Sequence, residues 1–366
     1  MSQAPSHVAI VGTGLIGASL GLALRRRYPE LVIGGTDADA AHAEAALEMV
    51  ALSHVAATAA EAVAGAGLVV LAAPLDATPA LLAEIGPALR PGALVTDVGS
   101  VKGSVMRAAA AELPDAVRFV GGHPMAGAAV GGPAGADALL FENAAYVLTP
   151  PPGMPELADG APEALWLVGA VGARPVVMDA DRHDVVAATV SHLPQLVAVA
   201  LVAEAAEAGP DALGLAAGGF RDMTRIAGSP FSMWGPILRD NQEAVGAVLD
   251  RFARRLDALR ETTGTDLAAV GDLFEASGQT RADLPASSKG FLAPLADVVV
   301  WAEDRPGFLH ALTGAIAEAG LNLKDAELLR LREGETGTFR FGFASAAEAD
   351  RAVGVLAGAG YRAARR

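Results

Sequence analysis

The chain has 366 residues, of which 52% are hydrophobic and only 19% are charged, so it can bury a large interior and is not intrinsically disordered. Its formal net charge is -15 and no run of Lys or Arg resembles a patch that would follow a phosphate backbone, so nucleic acid is not an expected partner. It has no cysteine, which excludes disulfides, thiolate nucleophiles and cysteine-based metal sites, and we expect no metal. At roughly 100 to 200 residues per domain, this length predicts two or three domains.

The first half of the chain has an α/β pattern. From residue 7 to about 178, short β-rich runs alternate with Ala- and Leu-rich helical stretches, which predicts a Rossmann-type, doubly wound and mostly parallel sheet covered by helices. We assign residues 1–178 to this domain, with a surface loop between Pro150 and Pro162. The predicted strands are HVAIVG, LVIGGT, LVVLAA, ALVTDV, RFVGG, AYVLT and ARPVVM.

The middle of the chain reads as helices only. After Met178 the strand pattern stops, and long helical stretches are interrupted at GGF, at GSPF and at Gly235-Pro236. We assign residues 179–283 to an all-helical domain, whose surplus of apolar residues predicts a symmetric homodimer. The apolar stretch from Val185 to Ala206 contains His, Pro and Gln, so we predict a buried core helix and no membrane span.

The end of the chain forms a third pattern after the linker-like segment DLPASSKGFLAPL. Residues 296–366 read as strand, helix, strand, strand, helix and strand, which predicts a ferredoxin-like βαββαβ module. At the other end, the first residues lead directly into a strand without a basic segment and an apolar segment typical of a secretory signal. A cytoplasmic location is therefore expected.

A glycine motif stands between the first strand and the first helix. VAIVGTGLIGASL places Gly12, Gly14 and Gly17 in the pattern G-x-G-x-x-G, with Leu15 and Ile16 at the start of the helix. Glycine at these positions permits a tight turn, close approach of a pyrophosphate to the main chain and close helix-strand packing. The helix N-terminus then faces the phosphate charge. The motif in this context predicts a dinucleotide site.

Asp37 indicates which dinucleotide binds. It lies 20 residues after Gly17 at the end of the second predicted strand, where a carboxylate can accept hydrogen bonds from the adenosine ribose hydroxyls. Its charge would repel a 2'-phosphate, and no Arg follows it within several residues. We therefore predict NAD as the cofactor and not NADP.

Two loops at the carboxyl ends of later strands carry polar groups. TDVGSVKGS contains Ser100 and Lys102, and VGGHPMAG contains His123. Ligands of open α/β sheets bind at such strand ends. His123 in this position is a candidate general base because an imidazole titrates near neutral pH.

The helical domain contributes further polar candidates. RHDVVAATVSHLPQ supplies His183, Asp184, Ser191 and His192, and the two histidines are either ligands or satisfied structural groups. GGFRDMTRIAGSPFSMW supplies Arg225, whose planar guanidinium suits a bidentate grip on a carboxylate. The alternative for this arginine is an internal salt bridge.

These motifs together resemble the prephenate dehydrogenase family of tyrosine biosynthesis. GxGLIGxSL, DVGSVKG, GGHPMAG, the pair HD, SHLP and GGFRDMTRIA occur in the family's order over residues 7 to 260. The segment EDRPGFLHALTGAIAEAGLNLKD resembles an ACT domain, the amino-acid-binding module of some members. The resemblance implies conversion of prephenate and NAD to 4-hydroxyphenylpyruvate, CO2 and NADH.

The resemblance also implies residue roles. His123 would accept the proton of the ring hydroxyl, Ser100 would hydrogen-bond that hydroxyl and orient His123, and Arg225 would hold a substrate carboxylate. Three more residues would lie on the substrate side: Ser191, His192 and Trp234. Many members have a second His directly after S-H-L-P where this chain has Gln195, which leaves prephenate and arogenate both open as substrates.

In the ACT-like module the resemblance implies an amino-acid site between the loop from Asp304 to Gly307 and Asn322. Because tyrosine is the end product of such a pathway, we expect it to bind there and inhibit. The alternative is a module that only adds dimer contacts.

Two other functions compete with this interpretation. A β-hydroxyacid or imine-reducing dehydrogenase shares the domain order but usually acts through a lysine on the helical domain, and this chain has lysines only at 102, 289 and 324. A non-catalytic amino-acid sensor would not need Ser100, His123 and Arg225.

Overall fold

The computed structural model describes residues 4–127, 130–154, 156–283, 295–302, 305–330 and 337–365. The chain divides into two compact units, Met1–Thr265 and Asp266–Arg366. Most of the predicted linker, residues 284–294, lies outside the described residues. The domain boundaries proposed above, at 178 and 283, stay predictions.

The first unit is built on a sheet whose strands in the described residues are β1 (His7–Val11), β2 (Val32–Thr36), β3 (His54–Val55), β4 (Leu68–Leu71), β5 (Leu94–Asp97), β6 (Arg118–Pro124), β7 (Ala145–Thr149) and β8 (Arg174–Val177). Their order is β3-β2-β1-β4-β5-β6-β7-β8, and only the β6-β7 pair is antiparallel. The predicted doubly wound sheet is confirmed. Only the two-residue β3 was not predicted.

Helices cover both faces of this sheet. They are α1 (Leu15–Arg27), α2 (Ala40–Glu48), α3 (Ala59–Val63), α4 (Thr78–Ile85), α5 (Gly103–Glu112), α6 (Leu157–Gly160) and α7 (Pro162–Ala170). The short α6 lies within the segment predicted as a surface loop, and its Leu157 joins the core.

The core lies on both sides of the central strands because successive side chains point to opposite faces. Val8 and Ile10 of β1 belong to one apolar cluster, and Ala9 and Val11 belong to the other. All of β4 is buried. Strands buried on both faces explain the nearly continuous apolar runs that marked them in the sequence.

The rest of the first unit is helical. Its helices are α8 (Ala180–Ala187), α9 (Leu193–Glu207), α10 (Pro210–Gly214), α11 (Gly218–Thr224), α12 (Phe231–Asp240) and α13 (Gln242–Thr263). The chain is interrupted at GSPF, as predicted. The other break was predicted at GGF but lies at residues 215–217, because GGF begins α11. It is not interrupted at Gly235-Pro236, because Pro236 lies inside α12.

Between α8 and α9 the chain forms a π-helical segment, Ala188–His192. Pro194 follows in the first turn of α9, where its ring lacks an N–H and would clash with the carbonyl four residues earlier. A wider turn relieves this conflict. The segment ends on His192, which is buried.

The prediction of a buried core helix over Val185 to Ala206 was wrong for the single chain. Among the described residues, the stretch Ala180–Glu207 is long and apolar enough to cross a membrane by length and composition, and only 28% of its most apolar 18-residue window is buried. Val190 and Val199 are among its exposed apolar side chains. The apolar sequence pattern could not distinguish a helix that its own chain covers from a helix whose apolar surface a second chain would cover.

The second unit contains α14 (Leu267–Asp283), α15 (Phe308–Glu318) and α16 (Ala346–Gly358). Its antiparallel sheet contains β9 (Ala296–Ala302), β10 (Asp325–Arg330), β11 (Gly337–Phe343) and β12 (Ala363–Arg365), in the order β10-β11-β9-β12. From β9 onward the elements follow the predicted βαββαβ order. Val298, Val300, Phe341 and Phe343 pack under the helices as its core.

Candidate active site

A cleft of about 970 Å³ opens at the carboxyl ends of the central strands. The glycine motif forms one wall. A Cβ on Gly12 would lie 2.5 Å from the carbonyl oxygen of Ala72, and a Cβ on Gly17 would collide with the carbonyl of Gly12. Gly14, which caps α1, instead faces open space. The loop therefore packs tightly at Gly12 and Gly17 and leaves free space at Gly14, at the N-terminus of α1. This free space at a helix N-terminus suits a pyrophosphate.

Asp37 lies in the same cleft at the end of β2. Its carboxylate accepts hydrogen bonds from the main-chain N–H of Thr13 at 2.5 Å and from the N–H of Asp39 at 2.9 Å. These bonds hold the carboxylate beside the glycine loop. Leu15, Ile16 and Ser100 also line the cleft. Of the six predicted cofactor residues, only Gly17 does not line it.

His123 lies near the end of β6 and is buried. Its Nδ1 lies 2.8 Å from Nε2 of His183, and Nδ1 of His183 lies 2.8 Å from a carboxylate oxygen of Asp184. We call these three residues the imidazole chain. Because a carboxylate only accepts, His183 donates from Nδ1 and accepts at Nε2 from Nδ1–H of His123. Nε2 of His123 is thereby left with a free lone pair, as a base requires.

The carboxylate of Asp184 is fixed by main-chain donors as well. It accepts hydrogen bonds from the N–H groups of Lys102 at 2.7 Å and Gly103 at 2.8 Å. Burial alone would raise the pKa of Asp184, but these bonds and the one from His183 outweigh it and lower the pKa. Asp184 is therefore ionised at neutral pH.

The pKa of His123 lies well below the usual histidine value. Burial is the largest cause, followed by the positive charge of Lys102 and by the neighbouring histidines. An imidazole with a lowered pKa is uncharged at neutral pH, which is the form that accepts a proton.

A second buried histidine lies on the helical side. Nδ1 of His192 lies 3.2 Å from the amide nitrogen of Asn241, which donates to the main-chain carbonyl of Asp184. The ring of His192 meets the indole of Trp234 edge to face at 5.8 Å. Burial lowers the pKa of His192 to about 4, although Asp184 acts in the opposite direction.

His192 and Trp234 each present a buried nitrogen, Nε2 and Nε1, that has no hydrogen-bond partner in the described part of the chain. Buried polar atoms normally have a partner, so these two atoms can serve a ligand. Trp234 belongs to α12, and the same helix borders the cleft through Met233 and Ile237.

The remaining predicted substrate residues do not line the cleft. Arg225 is exposed at the end of α11 and does not line the cleft. It forms no ion pair with Asp222 among the described residues, so the salt-bridge alternative is not observed. Gln195 is buried, and its Nε2 donates to the carbonyl of Ile226 at 3.0 Å, directly after Arg225. Ser191 is half-buried in the π-helical segment.

Sequence reasoning missed how His123 is oriented. The described residues show no hydrogen bond between Ser100 and His123, and the imidazole is held by His183 instead. His183 was left open between a ligand and a structural residue, and its partner Asp184 was not assigned a role. The adjacent HD pair was the available signal.

Of the predicted regulatory residues, Gly307 and Asn322 lie in the described part of the second unit and Asp304 lies outside it. Gly307 has φ +80 and caps α15, and Asn322 is exposed before β10. The left-handed conformation at Gly307 favours glycine.

Family models match most of the chain. The model described as "Prephenate dehydrogenase, nucleotide-binding domain" matches residues 20–171, and "Prephenate dehydrogenase, dimerization domain" matches residues 179–268. A model of the ACT domain matches residues 296–354. The three matches follow the order predicted from the sequence.

One relative covers the chain almost end to end, and two solved structures cover about three quarters of it. A prephenate dehydrogenase of Bacillus subtilis is 33% identical over 357 residues, covering 96% of each chain. The structure of Synechocystis arogenate dehydrogenase has a TM-score of 0.64 and 31% identity, and covers 75% of this chain and 98% of its own. Prephenate dehydrogenase from A. aeolicus, solved with hydroxyphenyl propionate and NAD+, has a TM-score of 0.70 and 28% identity over 77% of this chain and 98% of its own. The chain belongs to the prephenate dehydrogenase family.

Proposed function

We propose that this protein catalyses the NAD-dependent oxidative decarboxylation of prephenate to 4-hydroxyphenylpyruvate, with release of CO2 and NADH. One loop supports this assignment most directly, because it joins the dinucleotide cleft to the imidazole chain. Ser100 of the loop lines the cleft, and Lys102, two residues later, binds Asp184 through its main-chain N–H. The loop thus contacts both the cleft that would hold the hydride acceptor and the carboxylate at the end of the imidazole chain.

His123 is the proposed base. Its Nε2 would accept the proton of the ring hydroxyl as hydride leaves the carbon that bears this hydroxyl. NAD, when bound, would supply the hydride acceptor. The resulting imidazolium donates from Nδ1 to His183, and the carboxylate of Asp184 stabilises its positive charge through His183. After CO2 leaves, His123 returns the proton to the phenolate oxygen. Aromatisation drives the reaction, so positioning and one base suffice.

The substrate is proposed to lie between Ser100 and α12. Ser100 is half-buried on the cleft wall and can hydrogen-bond the ring hydroxyl. Nε2 of His192 and Nε1 of Trp234 can contact polar groups of the substrate because both lack partners in the described residues. Ser191 is placed next to His192 by the π-helical segment. Arg225 is proposed to bind a carboxylate.

Arogenate is the second candidate substrate. Oε1 of Gln195 makes no hydrogen bond in the described residues, and this acceptor would suit the amino group of arogenate. Steady-state NADH formation with each substrate tests the assignment. We expect turnover with prephenate at the higher kcat/KM, and absence of NADH formation with both substrates would refute the proposed function.

Asp37→Ser is expected to narrow the preference for NAD over NADP by roughly tenfold or more, because it removes a charge that repels the 2'-phosphate. It also removes the bonds to Thr13, so kcat/KM with NAD should fall. The measurement is kcat/KM with both cofactors. Asp39→Ser is the control, since it removes a neighbouring charge on the same cleft and should change the ratio less. Equal use of both cofactors by the wild type would contradict the assignment.

Arg225→Lys is expected to raise KM for the substrate by roughly tenfold or more with a smaller change in kcat, since an ammonium cannot reproduce a bidentate contact. Arg221→Lys, an exposed change on the same helix, should leave KM unaltered. An unchanged KM in Arg225→Lys would remove this residue from the substrate site.

We further propose that the protein is a cytoplasmic homodimer. The exposed apolar side chains of the helical part, among them Leu215, Met223 and Phe231, provide a surface for a second copy. A symmetric pair would bury the same surface on both chains. Light scattering at micromolar concentration checks the dimer.

Tyrosine is proposed to bind the ACT unit near Gly307 and Asn322 and to inhibit by favouring a less active state. We expect tyrosine to inhibit the full chain, Asn322→Ala to need roughly tenfold more tyrosine, and deletion of residues 291–366 to abolish inhibition. Inhibition that survives the deletion unchanged would place the effector at the active site. Absence of inhibition in the full chain would refute tyrosine regulation and favour the alternative that the module only adds dimer contacts.

A further inference from the structure

Lys102 is a completely buried lysine that directly precedes α5. Its Nζ donates to the carboxylate of Asp97 and, at 2.6 Å, to the carbonyl oxygen of Gly122. The other carboxylate oxygen of Asp97 accepts from the N–H of Gly122 at 3.0 Å. One ion pair therefore fixes both main-chain polar groups of the residue before His123.

The main chain of Lys102 reaches the opposite end of the imidazole chain. Its N–H donates to Asp184, whose carboxylate also accepts from His183. Lys102 thus contacts the segment that carries the base and the carboxylate that orients it. These bonds connect β6 to α8 through the loop that also carries Ser100, in addition to the direct contact between His123 and His183.

Stability alone does not account for this lysine. A buried ion pair often contributes no more stability than apolar side chains of the same volume, because both charges lose their hydration. The surroundings are nevertheless shaped for the long side chain. A Cβ on Gly121 would lie 3.1 Å from Cδ of Lys102, so glycine leaves the space that the lysine stem needs.

We propose that Lys102 is a positioning residue for the reaction: its buried ammonium fixes the main chain at Gly122 and so aims the imidazole of His123. This inference rests on the proposed role of His123 as the base. The positive charge has a second effect, since it disfavours a second cation next to it and keeps His123 uncharged.

The sign of this second effect can be tested by pH. Burial and the charge of Lys102 both lower the pKa of His123, so the base remains active well into the acid range. Without the ammonium the pKa of His123 rises. As the pH is lowered, activity should then be lost at a higher pH than in the wild type. The titratable or charged groups around His123 that bear on this are Asp97, Lys102, Tyr146, His183, Asp184 and His192.

Lys102→Met in the full chain tests the proposal, with Lys324→Met, which alters an exposed lysine, as the control. We expect Lys102→Met to bind NAD within about threefold of the wild type, to lose kcat by roughly tenfold or more, and to shift the acid limb of kcat/KM upward by about one pH unit. Lys324→Met should change none of these. A folded Lys102→Met with wild-type kcat and an unshifted acid limb would overturn the proposal.

Lys102→Met leaves the carboxylate of Asp97 buried and unpaired, which can prevent folding. The double variant Asp97→Asn with Lys102→Met removes both charges and keeps an acceptor for the N–H of Gly122. We expect it to fold, bind NAD and show the same loss of kcat, with a smaller upward shift because the negative charge of Asp97 is removed as well. If neither variant binds NAD, Lys102 is structural and the proposal is overturned.

A readout without catalysis separates this proposal from the proposed function. NMR of protein labelled with ¹⁵N-histidine follows the titration of His123. The signal of His123 is the one that is missing from the spectrum of His123→Asn. A higher pKa of His123 in the double variant supports the proposal even if neither substrate is turned over. An unchanged titration would refute the electrostatic effect even in an active enzyme.

Discussion

His123→Asn is expected to fold normally, to bind NAD like the wild type and to lose turnover by roughly 100-fold or more. Asparagine is similar in size to imidazole and its amide N–H can still donate to Nε2 of His183, so the buried contact is preserved. It cannot accept a proton in the pH range of the enzyme. Cofactor titration by fluorescence and steady-state kcat with the substrate measure the two properties separately.

The control for this variant is His310→Asn, which changes an exposed histidine of the second unit and should leave kcat unaltered. The pH dependence supplies a further check. Because the pKa of His123 is well below the usual value, kcat/KM of the wild type should stay level through neutral pH and fall only in the acid range. Turnover by His123→Asn equal to the wild type would exclude this residue as the base.

The cofactor cleft was predictable because its determinants are close in sequence. The turn at Gly12, the open helix terminus at Gly14 and the packing at Gly17 belong to one strand-turn-helix unit of a few residues. Asp37 follows at the end of the adjacent strand, whose position is fixed by parallel pairing with β1. The cofactor cleft could therefore be predicted from local chain geometry.

The imidazole chain was not predictable in the same way. His123 and His183 are 60 residues apart and belong to a strand and to a helix of different parts of the first unit. Composition and periodicity define each element but not the register in which α8 docks on the strand ends. The contact depends on Asp184 meeting the N–H groups of Lys102 and Gly103, which is a tertiary feature.

The exposed apolar helices show a different limit. The stretch around α9 has the composition of a core helix, and its burial depends on what covers it. A sequence pattern specifies that a surface is apolar but does not say whether the same chain or another copy packs on it. The apolar surplus nevertheless indicated the homodimer that we propose.

Asp184→Asn is expected to lower kcat by roughly 100-fold or more while NAD still binds, because it disturbs the proton positions of the imidazole chain. The amide nitrogen of asparagine can donate to Nδ1 of His183, which then carries its proton on Nε2. His183 would donate to His123, whose own proton would move to Nε2 and occupy the lone pair that accepts the substrate proton. The base is lost, and the N–H of Lys102, which shares this carboxylate oxygen with His183, also loses its acceptor.

The same substitution should reduce stability, and pH identifies the cause. The pKa of Asp184 is lower in the folded protein than in the unfolded chain, so its ionisation stabilises the fold above the unfolded pKa and this contribution is lost as pH falls through the folded value. Denaturant unfolding should therefore give a higher free energy of unfolding for the wild type than for Asp184→Asn at neutral pH. This difference should disappear in acid. Asp181→Asn, an exposed change on the same helix, should show neither this difference nor the loss of kcat. Wild-type turnover in a folded Asp184→Asn would mean that His123 acts without the imidazole chain.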